Sequence, residues 1–300
     1  MLKIGWSPVY VHPLPYKHRF PMEKYELLRQ QLLYEGTVTK DNFFEPDLVS
    51  DEDVLRVHKS EYYHKLNTLT LSPKEIRKTG FPLSEKLIHR EKVITQGTLQ
   101  CAKFALEHGI SMNIAGGTHH AYSDHGEGFC LLNDIAIASG YLLEKKLAGK
   151  ILVVDLDVHQ GNGTAEIFAN DDNVFTFSMH GEKNYPMKKE KSDLDIALKD
   201  GTGDKEYLTV LDDNFNRLLK MLNPDFVFFQ SGVDILETDK LGRLSLSIEG
   251  CKNRDELILS TCKHKGIPLV ASMGGGYSKD VRIIVEAHAN TFRLAQNIHF

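Results

Sequence analysis

The chain has 300 residues, 41% of them hydrophobic and 26% charged, with a formal net charge of -5. That balance describes a soluble globular chain able to bury one large core, and it lacks the basic footprint of a direct nucleic-acid binder. No apolar run approaches the ~20 residues of a membrane span, and Cys101, Cys130, Cys251 and Cys262 are too far apart in sequence for a zinc knuckle or a CxxC redox pair. Reduced thiols and an N-terminal stretch without a secretory apolar segment predict cytoplasmic residence.

In chain order, "LKIGW", "SMNIAG", "KILVVDLD", "NVFTFSM", "DFVFFQSG" and "GIPLVASMG" read as strands. Several are apolar on both faces, as parallel strands covered by helices on each side are. Helices are predicted near 92–108, 132–147, 204–222, 248–265 and 278–296, long enough for right-handed crossovers. The fourth-to-third spacing of Leu208, Leu211, Phe215, Leu218 and Leu222 marks one face of the third of these. No repeat or linker interrupts the chain, so residues 1–300 are expected to form a single α/β domain: a three-layer open parallel sheet with helices on both faces. Such sheets bind ligands beyond the carboxyl ends of their strands. The unusual residues fall there, because "AGGTHHAYSD", "DLDVHQGNG", "SMHG", "QSGVD" and "SMGGGY" each follow a strand.

Alternate side chains of a strand share a face, so Asp155, Asp157 and His159 can point together at a strand end. Burying two carboxylates costs several kcal/mol each and adds their repulsion. No lysine or arginine stands close by in sequence, Lys150 lying at the far end of the strand. A metal ion is the economical compensation, with Asp157 and His159 as ligands and Asp234, directly after "DFVFFQSG", as the third. His119 and His120 are candidate general bases, with Asp155 orienting one ring and Asn162 the other. An amide raises basicity less than a carboxylate, so the two rings are expected to titrate differently. Tyr277, on a glycine turn, is a candidate hydrogen-bond donor to an oxyanion.

Together, "HPLPYKHRFPMEKYELLR", "GGTHHAYSDHGEGFCLLNDIAIA", "VVDLDVHQGNGTAEIF", "QSGVDILETDKLGRLSLS" and "MGGGY" resemble the histone deacetylase superfamily, most closely its class IV branch and bacterial relatives. The resemblance implies an arginase/deacetylase-like fold and zinc on Asp157, His159 and Asp234, with His119 and His120 as tandem base and acid and Tyr277 on the oxyanion. It implies a substrate tunnel at Gly128, Phe129 and Gly275. A structural potassium ion would take Asp155, Asp157, His159, Ser178 and Met179, with a second monovalent site near Phe168 and Val174. The implied reaction removes an acetyl or longer acyl group from lysine side chains of a protein or peptide, with an acylated small amine such as an acetylated polyamine as the alternative substrate.

"HQGNG" departs from the HHGDG string of class I, placing Gln160 and Asn162 where a histidine and an aspartate stand there. No counterpart of the class I rim aspartate is evident around "RKTGFPLSEK", which predicts looser peptide recognition or a non-peptide substrate. By ligand type the Asp-His-Asp set also accepts iron(II), manganese or cobalt. A two-manganese ureohydrolase needs further bridging aspartates, whereas one DxDxH is present; a catalytically silent acyl-lysine reader would need no general base.

Overall fold

The computed structural model describes residues 1–300. Eight strands form one sheet: β1 (Lys3–Gly5), β2 (Phe43–Phe44), β3 (Ile110–Asn113), β4 (Ile151–Asp155), β5 (Val174–Gly181), β6 (Leu194–Leu198), β7 (Phe226–Gln230) and β8 (Leu269–Ser272). Every pairing is parallel, in the order β2-β1-β3-β8-β7-β4-β5-β6. Helices flank the sheet, as expected from its two-sided apolar strands. Every residue of β3, β4, β7 and β8 is buried, which is why these strands carry apolar side chains on both faces. No helix is long and apolar enough to cross a membrane.

Caps explain where the helices begin and end. Ser84 accepts from the backbone of Leu87 and Gly109 takes a left-handed conformation, so the helix Glu85–His108 starts earlier than its apolar spacing suggested. The helices Asp204–Leu222 and Ile248–Lys265 keep the expected bounds, and the last runs Val281–His299 behind an Asp280 cap. The edge strands β2 and β6 escaped the sequence reading. The first is two residues long, and the second alternates half-buried with exposed positions, so neither presents a continuous apolar run. Four short helices before residue 80, Lys24–Tyr34, Asp51–Leu55, Ser60–Asn67 and Pro73–Thr79, were likewise unread.

The order of strands locates the crevice. From β4 the chain moves outward through β5 to β6, whereas β7 and β8 step back the other way. Four neighbours at the centre, β3, β8, β7 and β4, therefore deliver loops from distant parts of the sequence to one end of the sheet.

Candidate active site

Asp157 and His159 follow β4, and Asp234 follows the adjacent β7. All three are buried, at 1%, 8% and 0% exposure, and can each turn one ligand atom to a common point, these atoms lying within 4.8 Å of one another. His159 Nδ1 stands 3.0 Å from Asp157 Oδ1 and 3.1 Å from Asp234 Oδ2. Asp234 Oδ1 accepts from Val158 N–H at 2.9 Å, but Oδ2 receives no well-formed hydrogen bond although it is buried. Gly275 leaves room for this arrangement: its N–H donates to Asp157 Oδ2 at 2.8 Å, and a side chain would put Cβ 1.9 Å from Asp234 Oδ2.

Electrostatics match the geometry. Burial and the neighbouring Asp157 charge push the Asp234 carboxyl up. Burial would push the His159 imidazole down, but its bonds to Asp157 and Asp234 and their charges outweigh that and raise it to about 10. Two carboxylates and an imidazole, buried and converging on one point, are a donor set that fits a divalent cation.

One expectation is corrected. A compensating cation does reach the site, since Lys24 is fully buried there and feels the charges of Asp234, Asp157 and Asp239. Sequence distance hid it, because the first helix approaches the sheet end from outside the strand pattern. Lys24 does not take the metal's place. Its Nζ donates to Gly274 O at 3.1 Å and lies over the rings of Phe20 and Tyr277, so it makes no hydrogen bond to Asp234 Oδ2. Burial pushes this amine down to about 8.

The loop after β3 carries His119 and His120, their rings 4.1 Å apart. Asp134 ties this loop down by accepting from the N–H groups of Gly117 at 3.0 Å and Thr118 at 2.8 Å. His119 Nδ1 meets Asp155 Oδ2 at 2.6 Å, and His120 Nδ1 meets Asn162 Oδ1 at 2.6 Å. The two rings are driven in opposite directions. Burial lowers both, but Asp155 and Asp157 raise His119 to about 8, whereas the His119 and His159 charges push His120 further down.

Behind Asn162 stands a buried carboxylate that the sequence reading passed over. Glu127 Oε1 accepts from Asn162 Nδ2 at 2.5 Å, and Glu127 Oε2 pairs with Lys78 Nζ at 2.5 Å. A carboxylate only accepts, so the amide nitrogen must face Glu127 and the amide oxygen must face His120. His120 Nδ1 is then the protonated nitrogen, and Nε2 keeps its lone pair. The available signal was an acid between two glycines, two residues before Phe129 in "GEGFC".

Gly128 and Phe129 both adopt left-handed backbone, with φ of 55° and 68°. For phenylalanine this is an unfavourable conformation, maintained here by hydrogen bonds from the N–H of Gly128 to Lys78 O and of Phe129 to Thr79 O. Phe129 packs 5.2 Å from Phe20 and 6.1 Å from Tyr277, giving an aromatic passage. Tyr277 is positioned by its own N–H, which donates to Asp239 at 2.6 Å. His120, His159, Phe129 and Tyr277 line both an outer cavity of about 220 Å³ and an inner one of about 40 Å³, and so stand at their junction.

The histone deacetylase domain matches residues 18–292. This chain belongs to the histone deacetylase family. It is 31% identical to histone deacetylase 2 of Arabidopsis thaliana over 92% of this chain and 74% of that protein. It is 32% identical to a probable deacetylase of Archaeoglobus fulgidus, over 85% and 75%, and 43% identical to an uncharacterized protein of Picosynechococcus over 99% of both. Among solved structures, the HDA15 HD domain and a deacetylase homologue complexed with SAHA both superpose with a TM-score of 0.84. They share 21% and 22% identity and cover 98% and 99% of this chain, and 90% and 84% of their own.

Two features of this family member depart from the class I pattern, and the structure accounts for them. Gln160 holds the segment before β6, donating to Glu190 O and Asp195 at 2.8 Å and accepting from Glu190 N–H at 2.8 Å. Asn162 recovers a carboxylate at one remove, through Glu127. Of the expected potassium ligands, Asp155 and Ser178 are direct register partners on β4 and β5, with Met179 next in line and fully buried. Ser178 Oγ lies 3.0 Å from His180 Nδ1. Phe168 and Val174, named for a second monovalent site, are both buried beside the start of β5.

Proposed function

We propose that this histone deacetylase family member is a zinc-dependent deacylase of the class IV type, cleaving acylated lysine side chains into a carboxylate and a free amine. The observation that carries this reading is the convergence of the buried Asp157, His159 and Asp234 on one point, with two differently tuned imidazoles next to them. Zinc held by Asp157, His159 and Asp234 would supply a Lewis acid for the amide carbonyl and acidify the attacking water.

The chain's own groups do the rest. His120 Nε2, left with its lone pair by Asn162, takes the proton of the attacking water. As the tetrahedral carbon forms, the Tyr277 hydroxyl donates to the oxyanion. The C–N bond then breaks and His120 returns its proton to the leaving nitrogen, which it can reach because it lines the outer cavity as well as the inner one. His119, raised by its bond to Asp155 and by the Asp155 and Asp157 charges, is the imidazole suited to offset the developing negative charge. Phe20, Phe129 and Tyr277 grip the alkyl chain and exclude water. A potassium ion at Asp155, Ser178 and the carbonyls of Asp157, His159 and Met179 would brace the β4 and β5 ends.

The test is turnover of the purified zinc-loaded protein on acetyl-, butyryl- and myristoyl-lysine peptides alongside acetylated polyamines, with metal counted in the same sample. One zinc per chain with amide cleavage is expected, and Asp234→Ala should lose both. Stoichiometric zinc in Asp234→Ala would remove Asp234 from the ligand set.

A further inference from the structure

The outer cavity is lined by four cationic side chains, Arg19, Lys78, Lys183 and Arg243, and by no carboxylate. They come from four separate places: the stretch before the first helix, the end of the helix Pro73–Thr79, the loop after β5, and the loop that follows Asp239. Their partners do not cancel them. Lys78 is matched by the buried Glu127 at 2.5 Å. Lys183 and Arg243 share Asp200, at 3.7 Å and 3.1 Å. Arg19 lies over the Phe129 ring at 4.9 Å and forms no ion pair. Four positive charges thus face two negative ones around the entrance, in a chain whose net charge is -5. The mouth has the sign opposite to the molecule.

Resting on the deacylase reading, we infer that the acylated amine entering this tunnel is flanked by carboxylates. A polyamine, or a peptide rich in lysine and arginine, brings its remaining ammonium and guanidinium groups against like charge at the rim. A substrate with carboxylates beside the acyl-lysine instead places them among Arg19, Lys183 and Arg243 while the acyl chain passes between Phe20 and Phe129. Lys183 and Arg243 have 66% and 56% exposed side chains, free to turn toward such groups. Attraction between exposed charges acts mainly on encounter and weakens with salt, so the preference belongs in kcat/KM and fades at high ionic strength.

The experiment uses capped, amidated peptides that carry one acyl-lysine and differ only in aspartate, serine or arginine flanks. Acetylspermidine and free Nε-acetyl-lysine, with and without its α-carboxylate blocked, complete the set and separate side-chain from main-chain carboxylates. At about 0.05 M salt, kcat/KM for acidic over basic flanks, or for free over blocked acid, is expected to be about tenfold, falling toward unity at about 0.5 M. Arg19→Gln combined with Arg243→Gln should lower that ratio. Equal turnover of acidic and basic peptides, or preference for acetylspermidine, overturns the inference and leaves the deacylase reading standing. Absence of turnover on every member overturns both.

Discussion

His119 and His120 are adjacent in sequence and occupy one loop, yet their environments separate them. One Nδ1 meets a carboxylate directly, and the other meets an amide whose orientation a second carboxylate dictates. In the proposed reaction, Glu127→Gln should lower kcat by about tenfold at unchanged KM, the scale of one hydrogen bond to a charged group. Imidazole ¹⁵N spectra should show His120 losing its single tautomer; an unchanged tautomer would clear Glu127 of any orienting role. The same carboxyl predicts a pH effect on stability. Burial alone would raise it, but bonds from His125, Lys78, Tyr185 and Asn162 prevail and hold it down at about 2. A depressed acid stabilises above its unfolded value and loses that contribution as pH falls through its folded one. The melting-temperature advantage of wild type over Glu127→Gln should therefore be full near neutral pH and shrink from about pH 4.3 toward pH 2; a gap that ignores pH would assign it to packing instead. Tyr277→Phe should lower turnover by roughly 10²–10³ while metal content stays intact, and wild-type turnover in that variant would take the hydroxyl out of the chemistry.

The ends of β4 and β7 must stay in register for Asp157 and Asp234 to converge, and one buried helix residue holds them. Arg254 donates to Leu156 O at 3.3 Å on one side and to Ser231 O at 3.1 Å and Gly232 O at 2.5 Å on the other. Asp255 balances its charge at 2.7 Å and is itself held by Thr291 Oγ1 at 2.7 Å. Removing one member of a buried pair strands the other charge, so Arg254→Met should cost about 3–5 kcal/mol in urea unfolding. The double replacement Arg254→Met with Asp255→Leu should cost less, since no charge is left behind. Equal losses would indicate that the carbonyl contacts, not the ion pair, dominate.

At the scale of the whole molecule, Asp157 and Asp234 are buried together at the sheet's carboxyl end, and their mutual repulsion works against the folded state. Chelation should lower the melting temperature, and excess zinc should restore it by mass action on the folded state alone. In chelator, Asp234→Asn should melt above wild type, since it removes one of two repelling buried charges. With zinc present the order should reverse. An unchanged order would mean that the folded chain binds no metal there.

The sequence by itself determined the layered parallel architecture, because two-sided apolar runs admit few other arrangements, and it named the polar residues that follow those runs. It also exposed Asp155, Asp157 and His159 as a set, since their spacing of two lies within one local segment. Groups brought in from elsewhere were another matter. Lys24, Arg254 and the cations of the mouth carry no periodic or spacing signal, Glu127 carries only its place between two glycines, and their charges act through space across stretches of chain that sequence distance does not measure. Only the packing of helices against the sheet end decided that Glu127 stands behind Asn162, that Arg254 joins β4 to β7, and that an acidic chain presents a positive entrance.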